Sequence, residues 1–186
     1  MTAQSSPQLA YTIRPARAED APAIYALLAT FSTEGKLLPR PVADIQARIA
    51  NFLVADLDGA VAACGALRDF GGNLNEIRSL AVRRDLAGQG VGSTLVRALL
   101  AKAIERTGGA PGRVFALTYR VEFFRRLGFR VVDKYSFPPK IWSDCCVCPK
   151  KDHCDETAVV IDIPVPANDH PKEQTSHAGE TLHKEV

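Results

Sequence analysis

Three glycines in five residues, Gly88, Gly90 and Gly92, stand between a short apolar run and a long helical one. The run before them, Glu76-Ile77-Arg78-Ser79-Leu80-Ala81-Val82, reads as a strand. After them Val91, Leu95 and Leu99 recur every four residues, with Val96, Leu100, Ala103 and Ile104 beside them. That spacing is one face of a helix. The segment is therefore strand, tight turn and helix. Its glycines let the backbone come close to a ligand and leave N–H groups pointing outward at the positive end of the helix dipole. Such a terminus suits a phosphate. A glycine-rich turn with no ligand has the same composition, so the turn alone leaves both readings open.

Spacing narrows the choice of ligand. A dinucleotide-binding turn reads Gly-x-Gly-x-x-Gly, whereas this one reads Gly-x-Gly-x-Gly, and no convincing βαβ unit with a ribose-binding acid follows. A Walker loop ends in Gly-Lys-Ser/Thr, which this turn lacks.

The stretch Ala87-Gly88-Gln89-Gly90-Val91-Gly92 resembles the pyrophosphate loop of the GCN5-related N-acetyltransferases, whose pattern is Arg/Gln-x-x-Gly-x-Gly/Ala. Ala87 departs from it: the family usually has Arg or Gln there, so one side-chain contact to the diphosphate is lost while the backbone donors remain. Downstream, Val114–Thr118 reads as a strand. Val121 to Phe129 follows as a helix with an aromatic pair and a Leu-Gly-Phe ending, and then comes the apolar run Arg130–Val132. The family has the same order, with Gly128 as the residue that ends the helix. The resemblance covers about residues 11 to 163. Glu76–Val82, Phe115–Arg120 and the run from Lys140 through Cys154-Asp155-Glu156 are similar to the short, single-domain bacterial N-acetylglutamate synthases, which lack an amino-acid-kinase domain.

The fold this implies is α/β (α+β): a mixed, mostly antiparallel sheet flanked by helices. Residue patterning agrees. Strands are expected at Tyr11–Pro15, Asn51–Leu57, Ala60–Arg68 and about Thr157–Ile163, with Asp58-Gly59 as a hairpin turn. Helices are expected over Glu19–Thr30, with Ala21, Ile24, Tyr25, Leu27 and Leu28 as its stripe, and over Val42–Ile49.

The resemblance also implies acetyl-CoA as co-substrate. Leu80, Ala81 and Val82 would meet the pantetheine arm, and Ala87, Gly88, Gln89, Gly90, Val91, Gly92 and Ser93 the diphosphate. The acceptor implied is the α-amino group of L-glutamate, the first step of arginine synthesis. Acetyl transfer needs a neutral amine, a donor for the oxyanion and attack geometry. The resemblance places a base at Glu76 and the oxyanion donor at the backbone N–H of Val82. Read without it, Glu76 is equally an edge or turn carboxylate paired with Arg78. Many family members carry a tyrosine where this chain has Phe124. Tyr119, at a strand end, is the other candidate acid, with solvent as its alternative.

A substrate with two carboxylates calls for guanidinium groups. Arg78 and Arg120 are the favoured pair, with Lys36 and Arg40 in the first inter-helix loop behind them. Strand alternation would put Glu76, Arg78 and Leu80 on one face. Lys140, ahead of the cysteine-rich loop, reads singly as a solvated charge.

Four of five cysteines, Cys145, Cys146, Cys148 and Cys154, fall within ten residues, near His153. That could supply zinc ligands, but one Cys-x-x-Cys and a short hook favour a reduced loop or a pair that oxidises, and no metal site is expected. Cys64, in an apolar run, reads as core. The other three histidines lie in the polar stretch after Pro166, so none is placed as a base in the folded region.

The expected organisation is a flexible start (1–10), an acetyltransferase domain (11–164) with its cysteine-rich loop at 140–156, and a disordered tail (165–186). Net charge is +2 with both signs interspersed, so no nucleic-acid partner is expected. No run approaches membrane-spanning length, and the start lacks an apolar export signal. Reduced thiols then point to the cytoplasm. The expected partner is a small amino acid, with a homodimer left open. The alternatives are acetylation of another amine, or a non-catalytic module that binds acetyl-CoA or zinc.

Overall fold

The computed structural model describes residues 10–163. The expected disordered tail lies outside them, as does the flexible start up to residue 9. In chain order the elements are β1 (Thr12–Pro15), α1 (Ala21–Ser32), α2 (Val42–Ala47), β2 (Phe52–Leu57), β3 (Ala60–Asp69) and β4 (Leu74–Val82). There follow α3 (Val91–Thr107), β5 (Gly112–Thr118), α4 (Val121–Arg125), β6 (Arg130–Val132), α5 (Pro138–Ser143) and β7 (Thr157–Ile163). The strands form one sheet in the order β1-β2-β3-β4-β5-β7-β6. Among the described strands only β4 and β5 run parallel. This is the mixed, mostly antiparallel sheet read from the sequence.

Local chemistry sets the boundaries. Asp58 and Gly59 both have positive φ, 52° and 81°, as a two-residue turn joining twisted strands requires. A short turn, Ala18–Asp20, precedes α1, where the Asp20 carboxylate accepts the Arg17 N–H at 2.7 Å. The helix therefore begins at Ala21, two residues later than the sequence suggested. Tyr25 and Ile104 do not join their stripes: each is about half exposed, at 44% and 50%. α3 ends at Gly108, whose φ of 58° only a residue without a Cβ adopts cheaply.

The sheet is covered on both faces. α3 and α4 pack on one through Leu95, Val96, Leu99 and Phe124 against Leu67, Ile77, Val114 and Val159. α1 and α2 pack on the other through Ile24, Leu28 and Ile45 against Phe52, Val54, Cys64 and Ala81. Further along that second face, Phe137 stacks on Phe115 at 4.1 Å between ring centroids and docks α5. α5 lies where a loop was expected. Pro138 and Pro139 fit the first helical positions, where no N–H is needed, so the proline pair opens the helix.

Two irregularities in β4 shape the site. Cys64 pairs with Ala81 but Ala66 pairs with Arg78, so two steps on β3 span three on β4. The extra residue is a bulge at Ser79, whose φ is 51°. Alternation breaks there. Glu76 and Arg78 face α5, whereas Leu80 joins Ile77 on the α3 face and Ala81 turns to α1. The single face expected for Glu76, Arg78 and Leu80 is thus corrected by one inserted residue. Second, β4 pairs with β5 only from Leu74 to Glu76. Beyond Glu76 the two strands part.

Candidate active site

The gap between β4 and β5 has donors along one side. Arg83 N–H bonds Ala62 O at 2.9 Å, which makes Ala63 and Val82 a non-hydrogen-bonded pair in the antiparallel ladder. The Val82 N–H therefore turns away from β3, into the gap. Just beyond, the first turn of α3 presents the N–H groups of Val91, Gly92 and Ser93, which have no intrahelical acceptor.

The glycines before them do different work. Gly88 and Gly90 have φ of 80° and 84°, and a Cβ on either would meet nothing within 4 Å. They curl the turn and leave its outer side open. Gly92 has ordinary φ but packs tightly: a Cβ there would stand 3.3 Å from Val82 Cγ2. Gln89 uses its side-chain amide on Asp85 O, at 2.9 Å, and its backbone N–H on Leu86 O, at 3.3 Å, so both close the turn. Open space, outward donors and a helix N-terminus fit a diphosphate. The strand gap with the Val82 N–H fits the arm that follows it.

On the α5 face, a cavity of about 220 Å³ opens where the strands part, lined by Arg78 of β4, Leu117 of β5, Lys140, Asp144 and Glu156. Beneath it lies Glu76, 3% exposed. Lys140 Nζ is 2.8 Å from Glu76 Oε1 and 2.9 Å from Asp144 Oδ2. Arg78 bonds the same Asp144 oxygen at 2.8 Å, and Arg68 adds a bond at 2.6 Å. Among the described residues Glu76 Oε2 has no hydrogen-bond partner, with Arg78 Nη1 3.5 Å away. Burial works to raise the Asp144 carboxyl, but Lys140, then Arg78 and Arg68, outweigh it and hold it well below the ordinary range. Glu156 goes the other way: burial lifts it, Lys140 opposes and Glu76 adds to the rise.

The sequence-derived acceptor residues separate here. Arg78 lines the cavity. Arg40 sits close enough to feel Arg78, Glu76 and Asp144, while its own ion pair is with Asp44. Burial, then Arg78 and Arg48, lower its guanidinium to about 10. Lys36 is exposed and pairs with Glu34 at 2.7 Å. Arg120 caps α4 with an exposed side chain, because β5 ends at Thr118 and the chain turns away. Tyr119 donates its hydroxyl to Asp155 at 2.7 Å and accepts from Lys150 at 3.0 Å. Burial, then Asp155, raises that hydroxyl.

Sequence reasoning passed over Lys140, Asp144 and Glu156. The signal for the first two was present: a Lys and an Asp four apart behind a proline pair, the spacing of one helical face. Cys145, Cys148 and Cys154 also line the cavity. Among the described residues no three His, Cys, Asp or Glu side chains form a metal-holding group. Nor is any described helix long and apolar enough to cross a membrane.

A strand gap with a free N–H, ending at a glycine turn and a helix N-terminus, is an acyl-CoA site. The family model described as the acetyltransferase (GNAT) family matches residues 21–129. The chain belongs to that family, the acetyl-CoA-dependent N-acetyltransferases. An uncharacterized N-acetyltransferase of Chlorobaculum tepidum is 41% identical over 148 residues, 80% of this chain and 94% of that protein. An amino-acid acetyltransferase of Mycobacterium tuberculosis is 36% identical over 138 residues, 72% of this chain and 76% of that one. The crystal structure of N-acetylglutamate synthase from Neisseria gonorrhoeae, complexed with coenzyme A and N-acetyl-glutamate, superposes with a TM-score of 0.71 at 26% identity. That match covers 83% of this chain but 35% of the synthase chain.

Proposed function

We propose that this enzyme acetylates the α-amino group of L-glutamate by direct attack within a ternary complex, the opening reaction of arginine synthesis, in the cytoplasm. The observation that carries the reading is Glu76: a buried carboxylate held through Oε1, its Oε2 accepting no hydrogen bond among the described residues, beneath a cavity lined by cations. The amino-acid acetyltransferase and N-acetylglutamate synthase named above support an amino-acid acceptor.

Acetyl-CoA supplies the activated acetyl group as a thioester. The chain supplies the rest. Gly88 and Gly90 to Ser93 hold the diphosphate through backbone N–H groups, those of Ala87 and Gln89 being bonded within the turn, and Leu80, Ala81 and Val82 line the arm by their backbone, since the Leu80 side chain is in the α3 core. The Val82 N–H donates to the oxygen that gains charge. Glu76 Oε2 accepts the amine proton, directly or through a water, freeing the nitrogen lone pair. Arg78 and Arg40, with Lys36 in the loop ahead of α2, attract the acceptor's carboxylates. Arg120, facing solvent, is left at most a long-range part. For Tyr119 to protonate the departing thiolate it must let go of Asp155; solvent does this without rearrangement. Burial raises the Cys145 thiol, which argues against an acyl-enzyme on it.

One observation favours a second reading, a different amino acid as acceptor. Asp144 and Glu76 already neutralise Arg78 and Lys140, and Glu156 adds negative charge to the cavity. An acceptor with one carboxylate suits that balance. Release of CoA thiol from acetyl-CoA, followed with L-glutamate beside other amino acids, polyamines and peptide N-termini, decides between them. Saturable preference for glutamate supports the first reading and turnover of another amine the second. Acetyl-CoA binding without any turnover removes both.

A further inference from the structure

Lys140 is 6% exposed, although six charged or polar groups surround the cavity it borders. A lysine withdrawn from water this far is costly unless its charge is matched. Here it has two matches, Glu76 Oε1 and Asp144 Oδ2. α5 is too short to be stable alone, so Lys140 is placed by tertiary packing: Phe137, 1% exposed, stacks on Phe115 and fixes the first turn. The fold thus spends a docked helix on bringing one ammonium group beneath β4.

We propose that Lys140 is the positioning residue of Glu76, holding Oε1 so that Oε2 faces the acceptor amine and setting its ammonium group beside the carboxylate. The inference rests on Glu76 as the proton acceptor and adds what makes it competent. A cation beside a buried carboxylate favours the charged form, which is the form that can accept a proton. The proton moves from ammonium nitrogen to Glu76 Oε2, and the nitrogen keeps the electron pair that attacks.

Other charges act on Glu76 from every side, and the test accounts for them. Arg78 shares its strand, and Arg68 reaches it through Asp144. Arg40 ahead of α2, Glu156 ahead of β7 and the Cys145 thiol also lie within its field. Of these cations Lys140 stands nearest the carboxylate, at 2.8 Å against 3.5 Å for Arg78.

The experiment is the pH profile of kcat/KM for Lys140→Met, Lys140→Arg, Glu76→Gln and Lys140→Met/Glu76→Gln, with near-ultraviolet circular dichroism and acetyl-CoA binding as checks on folding. Lys140→Met is expected to lower kcat at neutral pH about tenfold or more and to move the acid limb up by about one pH unit or more. KM for acetyl-CoA should stay put. Lys140→Arg should return the limb towards its original position, and the double variant should lose no more than Glu76→Gln alone. An unmoved limb in folded Lys140→Met overturns the proposal, as does a loss that multiplies in full with that of Glu76→Gln. Should Lys140→Met not fold, Asp144→Asn carries the test with the opposite sign. Removing that negative charge leaves Lys140 to Glu76 alone, so the limb should move down, and a limb that stays or rises is fatal. Failure of the base assignment itself shows in Glu76→Gln without the lysine series, as an unchanged rate and profile.

Discussion

Leu80 packs over Gly65 across the bulge: a Cβ on Gly65 would stand 3.1 Å from Leu80 Cδ1 and 2.9 Å from Leu99 Cδ1. The close approach exists because Ser79 adds a residue to β4 and swings Leu80 onto the α3 face. Gly65→Ala should therefore cost about 1–3 kcal/mol, the usual range for overpacking a filled core. Chemical denaturation measures it. A neutral substitution would mean that Leu80 and Leu99 shift freely, and that the bulge is not pinned by packing.

Asp20 ties the start of α1 to β1. Its carboxylate accepts two bonds from Arg14, at 2.7 and 3.0 Å, and one from the Arg17 N–H. The Arg14 bonds, against opposing burial, hold its pKa below the ordinary value. A lowered folded-state pKa means that the ionised form is the stabilising one. Its contribution is complete above the unfolded-state value of about 3.9 and is lost as pH falls through the lower folded-state value. Asp20→Asn should destabilise by about 1–3 kcal/mol at neutral pH, and by less as the medium is made acidic. Equal loss at pH 3 and pH 7 would show that charge is not the cause.

The cysteines divide by environment. Cys64 is fully buried, and burial pushes its thiol up to about 12, opposed by the backbone at Ala81. Cys148 and Cys154 border the cavity and are partly exposed. Iodoacetamide on the folded enzyme at mildly alkaline pH should label the 145–154 segment and spare Cys64 until denaturant is added. Peptide mass spectrometry reads this directly. Labelling of Cys64 in the native state would contradict the packing of β3 against α1.

What the sequence made legible, and what it hid, follows from the kind of signal each residue gives. The glycine turn and α3 could be read because Gly88 and Gly90 announce positive φ and the four-residue apolar spacing announces a face. The bulge could not, because Ser79 is a serine in a conformation that sequence associates with glycine or asparagine. That one residue undid the alternation argument for Leu80 while leaving Glu76 and Arg78 together. Lys140 reads as solvated because lysine mostly is. Its burial depends on Phe137 meeting Phe115, a contact between segments 22 residues apart in sequence that no local pattern reports. Arg120 misled for a similar reason: being next to a strand end does not say which way the chain turns.

Gly90 and Gly92 should fail differently, which tests the division of labour in the turn. Gly90→Ala meets no neighbour, but φ of 84° strains a residue with a Cβ by about 1–2 kcal/mol. Relief of that strain uncurls the turn and disperses the backbone donors. KM for acetyl-CoA should rise, with kcat at saturation little changed. Gly92→Ala keeps ordinary φ but puts a Cβ 3.3 Å from Val82 Cγ2 and 3.6 Å from Phe123 Cζ, so Val82 must give way. The Val82 N–H is the proposed oxyanion donor, and loss of alignment there falls on the transition state. Gly92→Ala should lower kcat, by up to about a hundredfold if the donor is lost outright. Steady-state kinetics with both substrates varied separates the two outcomes. If Gly92→Ala changes only KM for acetyl-CoA, Val82 is not the donor, and its place in the strand gap is structural.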